Sequence, residues 1–102
     1  MRGIKKVIDD LIREELDDAN SKYPQFASPH EGYAVLKEEL EELQESLRRM
    51  KFYQSRIWEL VRGDETPRDV LIDMSHEAHE AVYEAVQVAA MCRKFLAIEP
   101  RG

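Results

Sequence analysis

Three glutamates in this 102-residue chain stand against apolar stripes rather than in open charge runs. Glu39 lies one helical turn from both Val35 and Leu43, and Glu42 lies one turn from Glu39. Glu84 falls between Ala81 and Val88 on an alanine-rich stripe, and Glu77 sits on the same line one heptad earlier. A carboxylate beside packed side chains is costly unless something compensates its charge, and a cation is the obvious candidate. Carboxylate oxygens suit a hard ion, Mg²⁺ or Mn²⁺, which keeps several waters and binds substrate phosphates. If the two helices carrying these residues run antiparallel, Glu39 and Glu42 face Glu84 and Gln87 across the seam. The expected metal ligands are therefore Glu39, Glu42, Glu84 and Gln87.

The elements that must position them follow from caps and periodicity. Ile4, Val7, Ile8, Leu11, Ile12 and Leu16 mark one face of a first helix over residues 4–22. The acids Asp9, Asp10, Glu14, Asp17 and Asp18 lie mostly on its other faces, as on an ordinary solvated face. Residues 23–28, with Tyr23, Pro24 and Phe26, form a linker. Ser28, Pro29 and Glu31 make a capping box with proline at the first helical position. A second helix then runs from Pro29 to Gly63, with Leu36, Leu40, Leu43 and Leu47 at helical spacing. Thr66-Pro67-Arg68-Asp69 repeats the cap, proline and acid pattern, predicting a third helix from Pro67 to Leu96. Pro100 closes the chain.

The expected fold is all-α, one domain over residues 1–102, with two long antiparallel helices and one shorter helix. Two helices of about 30 residues are each roughly 45 Å long, more than a compact chain of this size is wide. One short helix cannot cover both, so pairing of copies into a helical-bundle dimer or tetramer is expected. The formal net charge of −6 argues against a nucleic-acid polymer as the main partner. The single Cys92 excludes an intramolecular disulfide and fits a reducing cytoplasm, and no apolar run approaches the roughly 20 residues that span a bilayer. Met1-Arg2-Gly3-Ile4-Lys5-Lys6 has a basic start without the apolar core of a signal peptide.

The run Glu38-Glu39-Leu40-Glu41-Glu42 resembles the EExxE motif of the MazG-like all-α nucleoside triphosphate pyrophosphohydrolases. That family carries ExxD on a later helix, and the matching segment here is Glu84-Ala85-Val86-Gln87. Together with His30-Glu31-Gly32-Tyr33-Ala34-Val35-Leu36, the pattern resembles small phage-type or prophage-type members and covers roughly residues 28–96. The resemblance implies hydrolysis of a nucleoside triphosphate between its α and β phosphates, with Mg²⁺ held by carboxylates in a dimer or tetramer of helices. It implies Glu39, Glu42 and Glu84 as ligands and catalytic carboxylates, with Glu38 a neighbouring support or second ligand. Gln87 departs from the family's Asp, and its amide oxygen brings no charge and cannot act as a base. The site would then hold its metal less tightly or draw on another acid such as Glu80. The departure also fits a non-catalytic helical oligomerisation or interaction module that has kept the fold.

Arg93 and Lys94 are candidates for contact with substrate phosphates, as are Arg48, Arg49 and Lys51, each equally readable as a solvated base paired with acids. His76 and His79 stand three apart, not the four of a zinc-protease helix. Asp73 and His76 have the spacing of a di-iron bundle ligand pair, which needs a second such pair on another helix. Cys92 reads as a small buried residue, and Tyr53 and Trp58 as core or interface.

Overall fold

The computed structural model describes residues 3–98, so Met1, Arg2 and the chain-closing Pro100 lie outside the described residues. Three helices follow one another: α1 (Ile4–Lys22), α2 (Pro29–Arg62) and α3 (Arg68–Leu96). No strand occurs among the described residues.

The start of α2 follows from its capping sequence. The Ser28 hydroxyl accepts from the Glu31 amide at 3.2 Å, and Pro29 opens the first turn. From there α2 continues unbroken to Arg62. Its C-terminus is closed by Asp64 N–H to the Val61 carbonyl and Glu65 N–H to the Leu60 carbonyl, the paired bonds of a Schellman motif. Gly63 occupies the cap position, but the left-handed residue is Asp64, at φ 57°. A short polar side chain tolerates that conformation better than most. The tight closure sets where α3 begins. Pro67, not Thr66, is its cap residue, and no side chain bonds to its first amides. The expected Thr66 cap is therefore corrected: the reversal at Asp64 leaves Thr66 one position outside the helix.

Helices α2 and α3 form an antiparallel hairpin. Arg49 bonds to Glu77, Glu42 meets Glu84, and Val35 and Leu36 reach the core around Met91, so numbers rise along α2 as they fall along α3. Ser46, 2% exposed, shows how fully small residues close off this seam. Helix α1 packs on α3, and only where it does so is there a three-helix core. That core is Ile12, Phe26, Ala90 and Met91, lined by Leu16, Val35, Leu36, Val86 and Phe95.

The linker 23–28 is part of this core. Phe26 is buried and packs edge-to-face on Phe95, with ring centroids 6.2 Å apart. The Lys94 ammonium sits 4.8 Å above the Phe26 ring and donates to the Tyr23 carbonyl at 2.6 Å. Gly32 lets both rings approach α2: a Cβ there would stand 2.8 Å from Phe95 and 3.1 Å from Phe26.

Beyond this core the hairpin has no third helix over it. The chain extends 62 × 36 × 23 Å with a radius of gyration of 17.9 Å, against about 13 Å for a compact chain of this length. Its accessible surface of 8015 Å² exceeds the roughly 5,900 Å² expected of a closed globule of this mass. Phe52, Trp58, Leu71, Ile72, Val82 and Tyr83 are all exposed.

The close approach at Gly32 predicts a sign reversal. Gly32→Ala improves helix propensity by about 1 kcal/mol but drives a methyl into Phe95, an overlap costing about 1–3 kcal/mol. Denaturant melts should show Gly32→Ala destabilising the native chain and stabilising a Phe95→Ala background.

Candidate metal centre

Glu39 and Glu42 project from α2 and Glu84 from α3 into one cluster, where one carboxylate oxygen of each lies within 4.8 Å of the others. The antiparallel hairpin brings them together: Glu39 and Glu42 are a turn apart on the same helix, and Glu84 stands across the seam from Glu42. Glu39 and Glu84 are half-buried, and Glu42 is exposed. Gln87, one turn on from Glu84, is half-buried at the level the register assigns to Glu39. Glu38 is exposed beside the cluster and adds to the charge felt by Glu39.

Like charges this close disfavour one another's ionisation. Burial pushes the Glu39 carboxyl up from its ordinary value, and Glu42, Glu84, Glu38 and Glu15 add to the rise. Burial also raises Glu84, and the neighbouring Glu42 carboxyl and the charge of Glu80 add to the rise. Arg49 opposes that rise. Its guanidinium is held by Glu77 at 2.7 Å and by Glu45 at 3.4 Å, so it does not neutralise the cluster directly. One buried oxygen of Glu84, Oε2, has no hydrogen-bond partner.

These features fit a hard divalent cation. Three carboxylate oxygens converge from two helices, burial and neighbouring charge oppose the ionised state of Glu39 and Glu84, and one buried acceptor is unsatisfied.

The tentative phosphate contacts have other partners. Arg93 bonds to Asp9 at 2.8 Å, tying α3 to α1 and, by that bond, holding the Asp9 carboxyl below its ordinary value. Lys94 is buried against Phe26 and Tyr23. Arg93 is also nine residues beyond Glu84, about 13 Å along the helix axis. Arg48 pairs with Glu45. Asp73, His76 and His30 are exposed, and Cys92 is a half-buried free thiol.

One member of the surroundings escaped the sequence analysis. Glu15 of α1 is half-buried and contributes to the field at Glu39. The signal was its spacing, four residues from both Leu11 and Ala19, which puts it beside the packed face of α1.

The raised carboxyls predict a pH dependence with a definite sign. A carboxyl raised in the folded state binds more protons there than in the unfolded chain, so its stabilising effect is complete below the unfolded value, near 4.5 for glutamate. It is lost as pH rises through the folded value. In metal-free protein at neutral pH, Glu84→Gln should therefore raise stability by about 0.5–1 kcal/mol. Urea melts across pH should show that advantage shrinking toward pH 4.5.

No family model matches the chain, and no curated protein or solved structure matches it, so its functional reading rests on these side chains.

Proposed function

We propose that this chain is a Mg²⁺- or Mn²⁺-dependent nucleoside triphosphate pyrophosphohydrolase, converting a nucleoside triphosphate to the monophosphate and pyrophosphate. The observation that carries the reading is the convergence of Glu39, Glu42 and Glu84 from two helices with one buried Glu84 oxygen unpartnered. The resemblance of Glu38-Glu39 to Glu42, and of Glu84 to Gln87, to the MazG-like motifs supplies the reaction class.

When bound, such an ion neutralises the triphosphate and acidifies a water. The chain's own residues do the rest. Glu39, Glu42 and Glu84 hold the ion on the rigid α2–α3 seam. Gln87 offers a neutral amide oxygen. Glu38, exposed at the edge, is free to support the ligands or take a proton. Arg93 and Lys94 would have to leave Asp9 and Tyr23 to reach a phosphate. The working form is a homodimer or homotetramer, acting on a free nucleotide and not on a nucleic-acid polymer. No helix among the described residues is long and apolar enough to cross a membrane.

A second reading, a helical interaction module without chemistry, is favoured by Gln87 alone, because it removes a charge from the cluster.

The test is pyrophosphate release from a panel of nucleoside triphosphates with and without each metal. Metal-dependent release should fall at least about 100-fold in Glu39→Gln and in Glu84→Gln, each still folded by circular dichroism. A folded protein releasing no pyrophosphate with any nucleotide and either metal contradicts the reading. Gln87→Asp separates the alternatives further. In the enzyme it should tighten Mn²⁺ binding by about tenfold, the effect of one added anionic ligand, whereas a chain without a metal site gains nothing.

A further inference from the structure

One face of α3 is left unpartnered along half its length. Leu71, Ile72, Ser75, His79, Val82 and Tyr83 recur at helical spacing on the side of α3 opposite Glu77 and Glu84, and therefore away from α2. The continuation of this stripe at Val86 and Ala90 packs in the three-helix core with α1. The uncovered part stays exposed: Leu71 48%, Ile72 42%, Val82 55% and Tyr83 54%. Concave surface lies at both ends. A cleft of about 780 Å³ opens between α1 and α3 along His79, Val82 and Tyr83. A hollow of about 360 Å³ runs past Arg68, Leu71 and Ile72.

The spacing of residues on this stripe is symmetric about position 77. Leu71 and Tyr83 are equally distant from it, as are Ile72 and Val82, and Ser75 and His79. A two-fold axis passing the stripe at that level sets two α3 helices antiparallel. Each copy's Leu71 and Ile72 then meet Tyr83 and Val82 of the other, with Ser75 beside His79 at the centre. An isologous interface requires this kind of self-complementarity.

Charge agrees with the same operation. The cleft's α1 wall carries Glu14, Glu15, Asp17 and Asp18, none paired with a cation among the described residues. Arg68 lies on the stripe as far before position 77 as Val86 lies after it, and it is exposed without an ion-pair partner. The axis carries Arg68 of each copy into the acidic cleft of the other. The surface agrees as well: the excess over a closed globule is roughly 2,000 Å² per chain, within what an obligate homodimer buries.

We propose that this face of α3 is the interface of a two-fold symmetric homodimer, in which Arg68 of each copy enters the α1–α3 cleft of the other. The proposal specifies the oligomer of the reading above and rests on that part alone. Its readout is mass, so it fails separately from the chemistry, which reads pyrophosphate. Sedimentation equilibrium at micromolar concentration should give twice the chain mass. Leu71→Glu and Val82→Glu each enter a two-fold interface twice and should raise the dimer dissociation constant by about 100-fold or more. Both positions are exposed within one chain, and circular dichroism confirms that the variants fold. Arg68→Glu should weaken the dimer, and adding Glu14→Lys with Asp18→Lys should restore it. In a Cys92→Ala background, Ser75→Cys with His79→Cys should crosslink two chains through a disulfide under oxidising conditions. A monomeric native chain, leaving the groove to another occupant, overturns the proposal. So does a dimer that Leu71→Glu and Val82→Glu leave intact, because it must form on another face.

Discussion

The chain is organised around a repulsion. Its antiparallel α2–α3 seam presses Glu39, Glu42 and Glu84 together, with burial and mutual charge opposing the ionised state of Glu39 and Glu84. Such an arrangement persists only if the surrounding packing over-determines it. Here that packing is the Ser46-lined seam on one side and the three-helix core on the other. Among the described residues, the ion pair from Arg49 to Glu77 crosses the seam one heptad before Glu84 and moderates the charge there without cancelling it. One buried Glu84 oxygen at the same point has no hydrogen-bond partner.

The rest of the fold is divided between holding that seam and leaving surface open. The end of the molecule near Met91 is closed by α1 and the 23–28 linker. There Lys94 is used as a structural cation between Phe26 and Tyr23, and Arg93 ties Asp9 to α3. These contacts anchor α1 without covering the hairpin. The remaining length of α3 therefore keeps an apolar stripe exposed at Leu71, Ile72, Val82 and Tyr83. Glu84 and the uncovered stripe lie on opposite faces of α3, so a copy docked on the stripe would leave the seam unoccupied.

Much of this was legible in the residues. The start of α2 was set by Ser28, Pro29 and Glu31, whose capping geometry is local, and the glutamate trio was found from spacing because helical period alone puts Glu39 and Glu42 on one face. The parts that were not legible depend on contacts distant in sequence. Thr66 has the chemistry of a cap, but the left-handed turn at Asp64 decides where α3 begins. Glu15 belongs to an acidic run that reads as a solvated face, and only the seating of α1 on α3 turns it toward Glu39. Arg93 and Lys94 look like free cations until α1 brings Asp9 to Arg93 and the linker brings Tyr23 and Phe26 to Lys94. The uncovered stripe was hidden for another reason: α3 is apolar on most of its circumference, so its sequence does not separate the residues packed on α2 from those left outside.

The central claim is that Glu39, Glu42 and Glu84 form one divalent-cation site. Water-proton relaxation during a Mn²⁺ titration tests it most directly. The account predicts one saturable site per chain, displaced by Mg²⁺ and lost in both Glu39→Gln and Glu84→Gln while the helices remain folded. Equal Mn²⁺ binding by the native chain and those variants, or no saturable binding by the native chain, would contradict it.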